Sequence, residues 1–386
     1  VNFIAKTLAG LEPVLMEELK NIGAEEIRPG KRAVFFEGTL ETMYRANLEL
    51  RTALRILTPI SELRVRNEDD LYRKIQTIDW SEYLEVEGTL AVDAVVASEL
   101  LRHSKYVALK TKDAIVDQFR EKTGERPNVD INNPDLRINI HVNDSDVTVA
   151  LDSSGDSLHR RGYRVDSVDA PINEVLAAGM ILLSGWQKDC LFLDPMCGSG
   201  TIAIEAALYA YNIPPQQHRE HFGFMNWKNF DPEMWEQVKK NAEDARVDFK
   251  YPIYAYDKDF RAFKVANMNA IAAGLEGKIL IERAAFEKLN PPAGPGILMM
   301  NPPYDERLPI EQAEDFYQSI GDRFKQAYPG YSAWVISSNL DALKSIGLRP
   351  SRRFSLINGK LDCKFLKFDL YAGSKRQPKD EETDQD

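Results

Sequence analysis

Apolar and polar positions follow two rhythms along this chain, a period near 3.6 and a period of 2, and the switches between them mark its elements. Over the first sixty or so residues the order reads strand, helix, strand, strand, helix, strand. FIAKTL is extended. LEPVLMEELKNIG places Leu11, Leu15, Leu19 and Ile22 at helical spacing, carries Pro13 in its first turn and stops at Gly23. AVFFEG is a strand, ETMYRANLEL a helix and LRILTPISELRV extended again, the order of a ferredoxin-like unit. The pattern restarts near Asn67. LYRKIQTIDWSEYL reads as a helix, TLAVDAVVAS as a strand, and KYVALKTKDAIVDQFREKTG as a long helix ending at Gly124. LRINIHV and DVTVALD then alternate as strands around the turn residues Asn143 to Asp146. A separate small α/β module is the simplest account of this stretch.

Glycine, serine and arginine interrupt the periodicity at SSGDSLHRRGYR, from Ser153 to Arg164. Beyond it strands and helices alternate, which implies a parallel sheet covered on both faces. LFLDP leads into a helix from Thr201 to Tyr211, and PIYAYD into one ending near Gly274. KILIE and GILMMNPP are further strands, and a helix from Glu311 to Ala327 precedes YSAWVIS. RRFSLINGKLDCKFLKFDLY holds two strand-like runs around Asn358-Gly359, an antiparallel hairpin for which a type I′ turn is expected.

Composition adds bounds to this picture. A chain of 386 residues with 44% hydrophobic content implies two or three folded domains. There is no apolar run of about 18 residues and no basic, apolar leader at the start, so a soluble cytoplasmic protein with no membrane partner is expected. Cys190, Cys197 and Cys363 lack metal or redox spacing and read as reduced thiols. No metal is expected; His218 and His221 sit in a loop, where an H-x-x-H is more often surface than ligand. The net charge of −11 argues against non-specific coating of nucleic acid, yet the charge is uneven. From Arg349 to Lys367 there are six basic residues and one acid, a candidate basic patch; Arg102 to Arg126 holds seven basic residues and four acids.

Two short strings carry candidate chemistry. In LDPMCGSGTIAIEAA, Asp194 closes an apolar strand, and Gly198 and Gly200 allow a sharp turn before a helix, at the sheet edge where α/β proteins bind ligands. A ligand-free turn would look the same. No phosphate-loop lysine follows and the third glycine of the dinucleotide fingerprint is missing. Asp257, ending the next strand, is placed for ribose hydroxyls, with a helix N-cap as its other reading and Asp259 the better candidate for that cap. The long gap between Asp194 and Asp257 requires an insertion, which the aromatic HREHFGFMNWKNF supplies. In NPPYDERL, Asn301 follows a buried strand at the same edge. Pro302 and Pro303 cannot donate hydrogen bonds, so carbonyls and the Asn301 amide oxygen are presented as acceptors for a planar NH₂ group, with Tyr304 able to stack on its ring. A rigid Asn-Pro turn is the bland alternative. Together the strings point to methylation of a base amine.

These residues resemble the bacterial 23S ribosomal RNA guanine-N2 methyltransferases that carry a THUMP domain, over nearly the whole chain. DPMCGSGTIAIEAA resembles that family's S-adenosylmethionine loop, APINEVLAA its cofactor-methionine motif, NPPYDERL its catalytic motif, and HRRGYR a family hallmark. The resemblance implies an α/β protein: a ferredoxin-like domain at 1–66, a THUMP RNA-binding domain at 67–155, and a class I Rossmann-like methyltransferase domain with an antiparallel terminal hairpin at 156–376. The acidic composition of 377–386 predicts a disordered tail, and the stand-alone form of the family is the nearest likeness. It implies catalysis by Asn301, Pro302, Pro303 and Tyr304. S-adenosylmethionine would be held by Asn173, Glu174, Asp194, Met196, Gly198, Gly200, Thr201, Asp257, Lys258, Phe286 and Asn301, and RNA by Arg160, Arg161 and Arg164; the two basic stretches add Lys105, Arg352 and Arg353 as RNA candidates. For HRRGYR a solvated linker is the competing reading. The partner implied is 23S ribosomal RNA, naked or in a pre-ribosomal particle, with no obligatory protein partner. One departure stands out: where the family usually has an acid before the adenine-contacting phenylalanine, Ala285 precedes Phe286. A transfer RNA guanine-N2 enzyme, a DNA adenine-N6 enzyme and a catalytically weak RNA-binding assembly factor are the alternatives.

Overall fold

Two sheets organise the protein, whose computed structural model describes residues 1–168, 171–303 and 310–372. The front half contains β1 (Asn2–Lys6), α1 (Glu12–Asn21), β2 (Glu25–Gly30), β3 (Ala33–Glu37), α2 (Leu40–Glu49), β4 (Arg55–Arg64), α3 (Glu68–Ile75), β5 (Thr89–Ala97), α4 (Ser104–Thr123), β6 (Asn128–Val129), β7 (Leu136–Asn143) and β8 (Asp146–Asp152). The stretch from Asn67 onward is not a separate sheet, as its restarted pattern suggested. All eight strands join in the order β2-β3-β1-β4-β8-β7-β5-β6. Ten-residue β4 is long enough to serve both sides: Ile4 lies opposite Leu57, and Leu57 lies opposite Asp152 of β8.

The helix read through LYRKIQTIDWSEYL ends early, at Ile75. Gln118 of α4 explains the break: its amide donates to the carbonyls of Gln76 and Ile78 and accepts from Trp80 N–H, while the buried Trp80 indole donates to Ile75 O. Carbonyls that would continue the helix are satisfied from the side, so the chain can turn.

The second half contains α5 (Glu174–Ser184), β9 (Leu191–Asp194), α6 (Thr201–Ala210), α7 (Pro232–Asp244), β10 (Ile253–Asp257), α8 (Phe260–Ala272), β11 (Leu280–Arg283), β12 (Gly296–Met300), α9 (Ile310–Ala327), β13 (Tyr331–Ser337), α10 (Leu340–Ser345), β14 (Arg352–Asn358) and β15 (Leu361–Asp369). Its seven strands run β11-β10-β9-β12-β13-β15-β14; β9 to β13 are parallel and β15 is antiparallel to both neighbours. The order reverses between β9 and β12, which makes the carboxyl edge of those two strands the ligand position. Asn358 pairs with Leu361, so the hairpin loop is Gly359-Lys360 rather than Asn358-Gly359, and only Gly359 takes a positive φ (63°). That is the pattern of a type II′ turn, not type I′.

The inserted segment between α6 and β10 ties the halves together. Phe222, Phe224, Trp235 and Val238 are buried in the front core, with the Tyr44 ring 4.5 Å from Phe224 and its hydroxyl accepting from Asp231 N–H at 2.9 Å. Burying such rings contributes roughly 1.5–3 kcal/mol each, so the aromatic insertion is an interdomain clamp. Among the described residues no helix is long and apolar enough to cross a membrane, and no group of three His, Cys, Asp or Glu could hold a metal. The expected acidic tail lies outside the described residues.

Candidate active site

Register places the two sequence strings side by side. Leu193 of β9 pairs with Leu298 of β12, and Asp194 with Ala255 of β10, so Asp194, Asp257 and Asn301 all emerge at one sheet edge. The turn from Pro195 to Gly200 crosses this edge and is tied to β10: Cys197 N–H donates to Tyr256 O at 2.9 Å and Gly198 N–H to Asp257 Oδ2 at 3.0 Å. Gly198 and Gly200 have φ of 53° and 82°. At Gly200 a Cβ would also come within 3.1 Å of Ala266 Cβ, so a side chain there would push α8 away from α6. The turn delivers the N-terminus of α6, with its free N–H groups, beside the cavity.

That cavity holds about 390 Å³ and is lined by Met196, Gly198, Thr201, Asp257, Lys258, Phe286, Asn301 and Pro303 among the residues expected from the sequence. Among the described residues two buried polar atoms at this edge have no partner: Asn301 Oδ1, on the cavity lining, and Asp194 Oδ2, whose residue is not part of that lining. An unsatisfied buried acceptor costs about 1–3 kcal/mol unless a ligand supplies a donor. Burial pushes the Asp194 carboxyl well above the usual carboxylate range, and nearby Asp257 adds to the shift. Burial likewise raises the Cys197 thiol, which leaves it unreactive. Asp257 Oδ1 accepts from Asp259 N–H at 2.9 Å, and Asp259 rather than Asp257 caps α8 through Ala262 N–H. Each Asp257 oxygen retains acceptor capacity toward the cavity. The Phe286 ring stacks on Tyr328, 5.6 Å between centroids.

Other expected site residues sit elsewhere. Asn173 does not line the cavity; its side chain caps α5 by accepting from Val175 and Leu176 N–H. Glu174 is buried and paired with Arg164 at 2.7 Å. Both line a neighbouring cleft of about 590 Å³, shared with His159, Arg160 and the hairpin turn, which meets the cavity at Pro171 and Ile172. Arg161, expected to contact RNA, is 1% exposed. It pairs with buried Glu205 and donates to Leu158 O and Arg51 O, so its charge is spent inside the domain junction. Arg164, expected beside it, faces inward: Nε donates to Glu174, Nη1 to Ser199 Oγ at 3.2 Å, and Nη2 to Ile172 O and to Thr201 Oγ1 at 3.0 Å. Asn269 of α8 clamps the same turn by donating to Ser199 O. Arg160, Lys105, Arg352 and Arg353 are exposed. Tyr304 lies outside the described residues.

The structure adds Glu287 to the cavity lining, next to Phe286. Its signal was available: an acid flanks the phenylalanine on the far side from Ala285. Arg261, on the first turn of α8, also lines the cavity and was not anticipated.

Comparison with known proteins fits this geometry. Residues 161–367 match the family described as RMKL-like methyltransferase domain, residues 65–152 the THUMP domain and residues 2–57 the RlmL ferredoxin-like domain. Ribosomal RNA large subunit methyltransferase K/L of Syntrophotalea carbinolica is 39% identical over 382 residues, 96% of this chain and 54% of the relative; the chain thus spans about half the length of that protein. A Synechocystis protein with a provisional RNA-methyltransferase name is 40% identical over 96% of this chain and 97% of its own. The crystal structure of SMU.472, provisionally a methyltransferase and complexed with S-adenosylhomocysteine, is 30% identical with a TM-score of 0.86, covering 97% of this chain and 99% of that one.

Proposed function

This chain belongs to the RMKL-like methyltransferase family, and we propose that it transfers a methyl group from S-adenosylmethionine to the exocyclic N2 amine of a guanine in 23S ribosomal RNA. The observation that carries the reading is Asn301 Oδ1, a buried acceptor without a partner among the described residues, in the same cavity as the glycine turn and Asp257. An aryl amine is a poor nucleophile because its lone pair is delocalised into the ring. Acceptors on its hydrogens favour the pyramidal form needed for transfer, and a fixed acceptor does so without reorganising.

The residues present fit the cofactor. Asp257 keeps acceptor capacity for ribose hydroxyls, Phe286 offers its ring to adenine, and Glu287 can accept from the adenine amine in place of the acid missing at Ala285. Gly198 leaves the turn free of a side chain where the ligand must approach. When bound, S-adenosylmethionine supplies a methyl already activated by its sulfonium. The chain's part is then to hold the amine in line, an effect worth up to about 7–11 kcal/mol in well-oriented systems. Asn301 fixes the amine, and the Pro302-Pro303 backbone, stiff and without donors, fixes Asn301. The base must leave its stack to reach this depth, at a cost of a few kcal/mol. A THUMP match and a relative named for large-subunit ribosomal RNA support ribosomal RNA as the polymer, which implies a cytoplasmic location.

Asn301→Ala is expected to lower kcat by at least about 10²-fold while calorimetry still detects S-adenosylhomocysteine binding. Undiminished turnover would remove Asn301 from the chemistry. Mass mapping of methylated nucleotides from cells with and without the gene should show one N2-methylguanine missing from 23S RNA. A loss confined to transfer RNA would move the activity to that polymer.

A further inference from the structure

Just outside the cavity, on the first turn of α8, an aromatic ring stands in solvent. Phe260 is 51% exposed. Cations surround it: Lys264 Nζ lies 4.5 Å from the ring centroid and the Arg283 guanidinium carbon 5.9 Å. Phe263 stacks with it at 6.2 Å and 21°, which gives the ring a firm base. Arg283 reaches across from β11 and is fixed by donating to Lys258 O at 3.0 Å. Arg261, adjacent in sequence, lines the cavity that contains Asn301 and donates to Ser167 O at 3.5 Å.

Among the described residues none of these three cations forms an ion pair. Of the acids nearby, Asp257, in register with Arg283, accepts from Gly198 and Asp259 N–H. Asp259 is committed to the α8 cap. Glu282 stands in register with Tyr256, so strand alternation sets it on the face opposite Arg283. Glu287 lines the cavity. In a protein of net charge −11, such a concentration of unpaired cations about an uncovered ring needs a reason. An apolar protein partner would have to desolvate all three charges to cover Phe260. Single-stranded RNA matches both features at once, since its phosphates pair with the cations and its bases stack on the ring.

We propose that Phe260, Arg261, Lys264 and Arg283 form a contact surface for the single-stranded RNA flanking the target nucleotide, with a neighbouring base on Phe260 and backbone phosphates on the three cations. The inference rests on the reading above that RNA is the substrate. Arg261 links the surface to the cavity: a strand that delivers its base toward Asn301 would cross the rim there. None of the four belongs to the RNA set read from the sequence, because they are scattered over two elements and only the fold gathers them.

A fluorescently labelled, mixed-sequence single-stranded RNA of about twenty nucleotides, titrated at several salt concentrations, tests this, with S-adenosylhomocysteine calorimetry on the same samples. Phe260→Ala should weaken RNA binding about tenfold, and Phe260→Trp should restore it. Lys264→Gln should reduce the steepness of the salt dependence by about 0.7. S-adenosylhomocysteine affinity should stay within twofold for all three variants. RNA binding unchanged in Phe260→Ala and Lys264→Gln would overturn the surface, as would RNA and S-adenosylhomocysteine affinities falling together. A wild-type protein that binds S-adenosylhomocysteine but no RNA would instead defeat the RNA reading itself, and the surface with it.

Discussion

Two arginine-rich segments, HRRGYR at 159–164 and RRF at 352–354, look alike as sequence and occupy opposite environments. Arg161 is buried between the two halves of the molecule, and Arg164 has its guanidinium engaged by Glu174, Ser199, Ile172 and Thr201. Arg352 and Arg353 project from β14, the outermost strand of its sheet, into solvent. A guanidinium carries five donors in a fixed fork, which suits it either to staple several backbone and carboxylate acceptors or to grip a phosphate. Which it does depends on what the fold brings within reach. At the junction the chain passes between α6 and the loop at Arg51, so acceptors surround it; at the β14 edge, among the described residues, no carboxylate pairs with Arg352 or Arg353. The comparison therefore separates cations that build the site from cations available to meet a polyanion.

Removing a cation of the first kind should have the largest effect. Arg161→Ala leaves Glu205, whose carboxyl burial already raises above its usual range, with the Tyr163 hydroxyl at 2.9 Å and the more distant charge of Arg51. Breaking a buried pair from one side costs about 3–5 kcal/mol. A chemical denaturation curve should show that loss, and Arg161→Met with Glu205→Gln should recover much of it by removing both charges. If Arg161→Ala folds normally and only loses RNA affinity, the junction reading fails and the segment returns to the solvated class.

The same contrast shows what was legible in the sequence. Local periodicity reported the elements well: the α1 repeat of Leu15 and Leu19, the β7 and β8 alternation, and the hairpin are all present. Motifs placed after strands were legible too, since Asn301 and Asp257 need only the end of a parallel strand to reach the edge. Non-local partners were not. The end of α3 depends on Gln118, forty residues on. The fusion of both front modules into one sheet depends on β4 pairing with β8, and Arg161 on Glu205. The turn type was misread because the loop register, set by the whole β14 and β15 pairing, displaced it by one residue. Glu287 follows Phe286, whereas the family pattern puts its acid before the phenylalanine, where this chain has Ala285.

Arg164 sharpens the comparison at intermediate cost. It holds Ser199 and Thr201, so it acts on the cofactor turn from behind as a positioning residue. Arg164→Ala should raise the S-adenosylhomocysteine dissociation constant about tenfold, equivalent to about 1.4 kcal/mol, and leave RNA affinity unchanged. Arg164→Lys should recover little, since an ammonium cannot span the four acceptors. Weakened RNA binding with intact S-adenosylhomocysteine binding would mark Arg164 as a phosphate contact after all.

The smallest effect belongs to the exposed pair, and it is the other side of the test. Arg352→Gln with Arg353→Gln removes no contact that stabilises the fold, so the denaturation midpoint should move by no more than about 0.5 kcal/mol equivalent. If β14 meets RNA, each lost phosphate contact lowers the salt slope by about 0.7, and binding to a mixed-sequence RNA should weaken a few-fold, most visibly at low salt. The two segments would then differ in both readouts: stability for Arg161, salt dependence for Arg352 and Arg353. Should the double variant keep the full salt slope, β14 is a solvated edge whose charges serve to keep other strands from adding to the sheet. The polyanion would then be met elsewhere, at α8 with Arg283 or at the exposed Lys105 and Arg160.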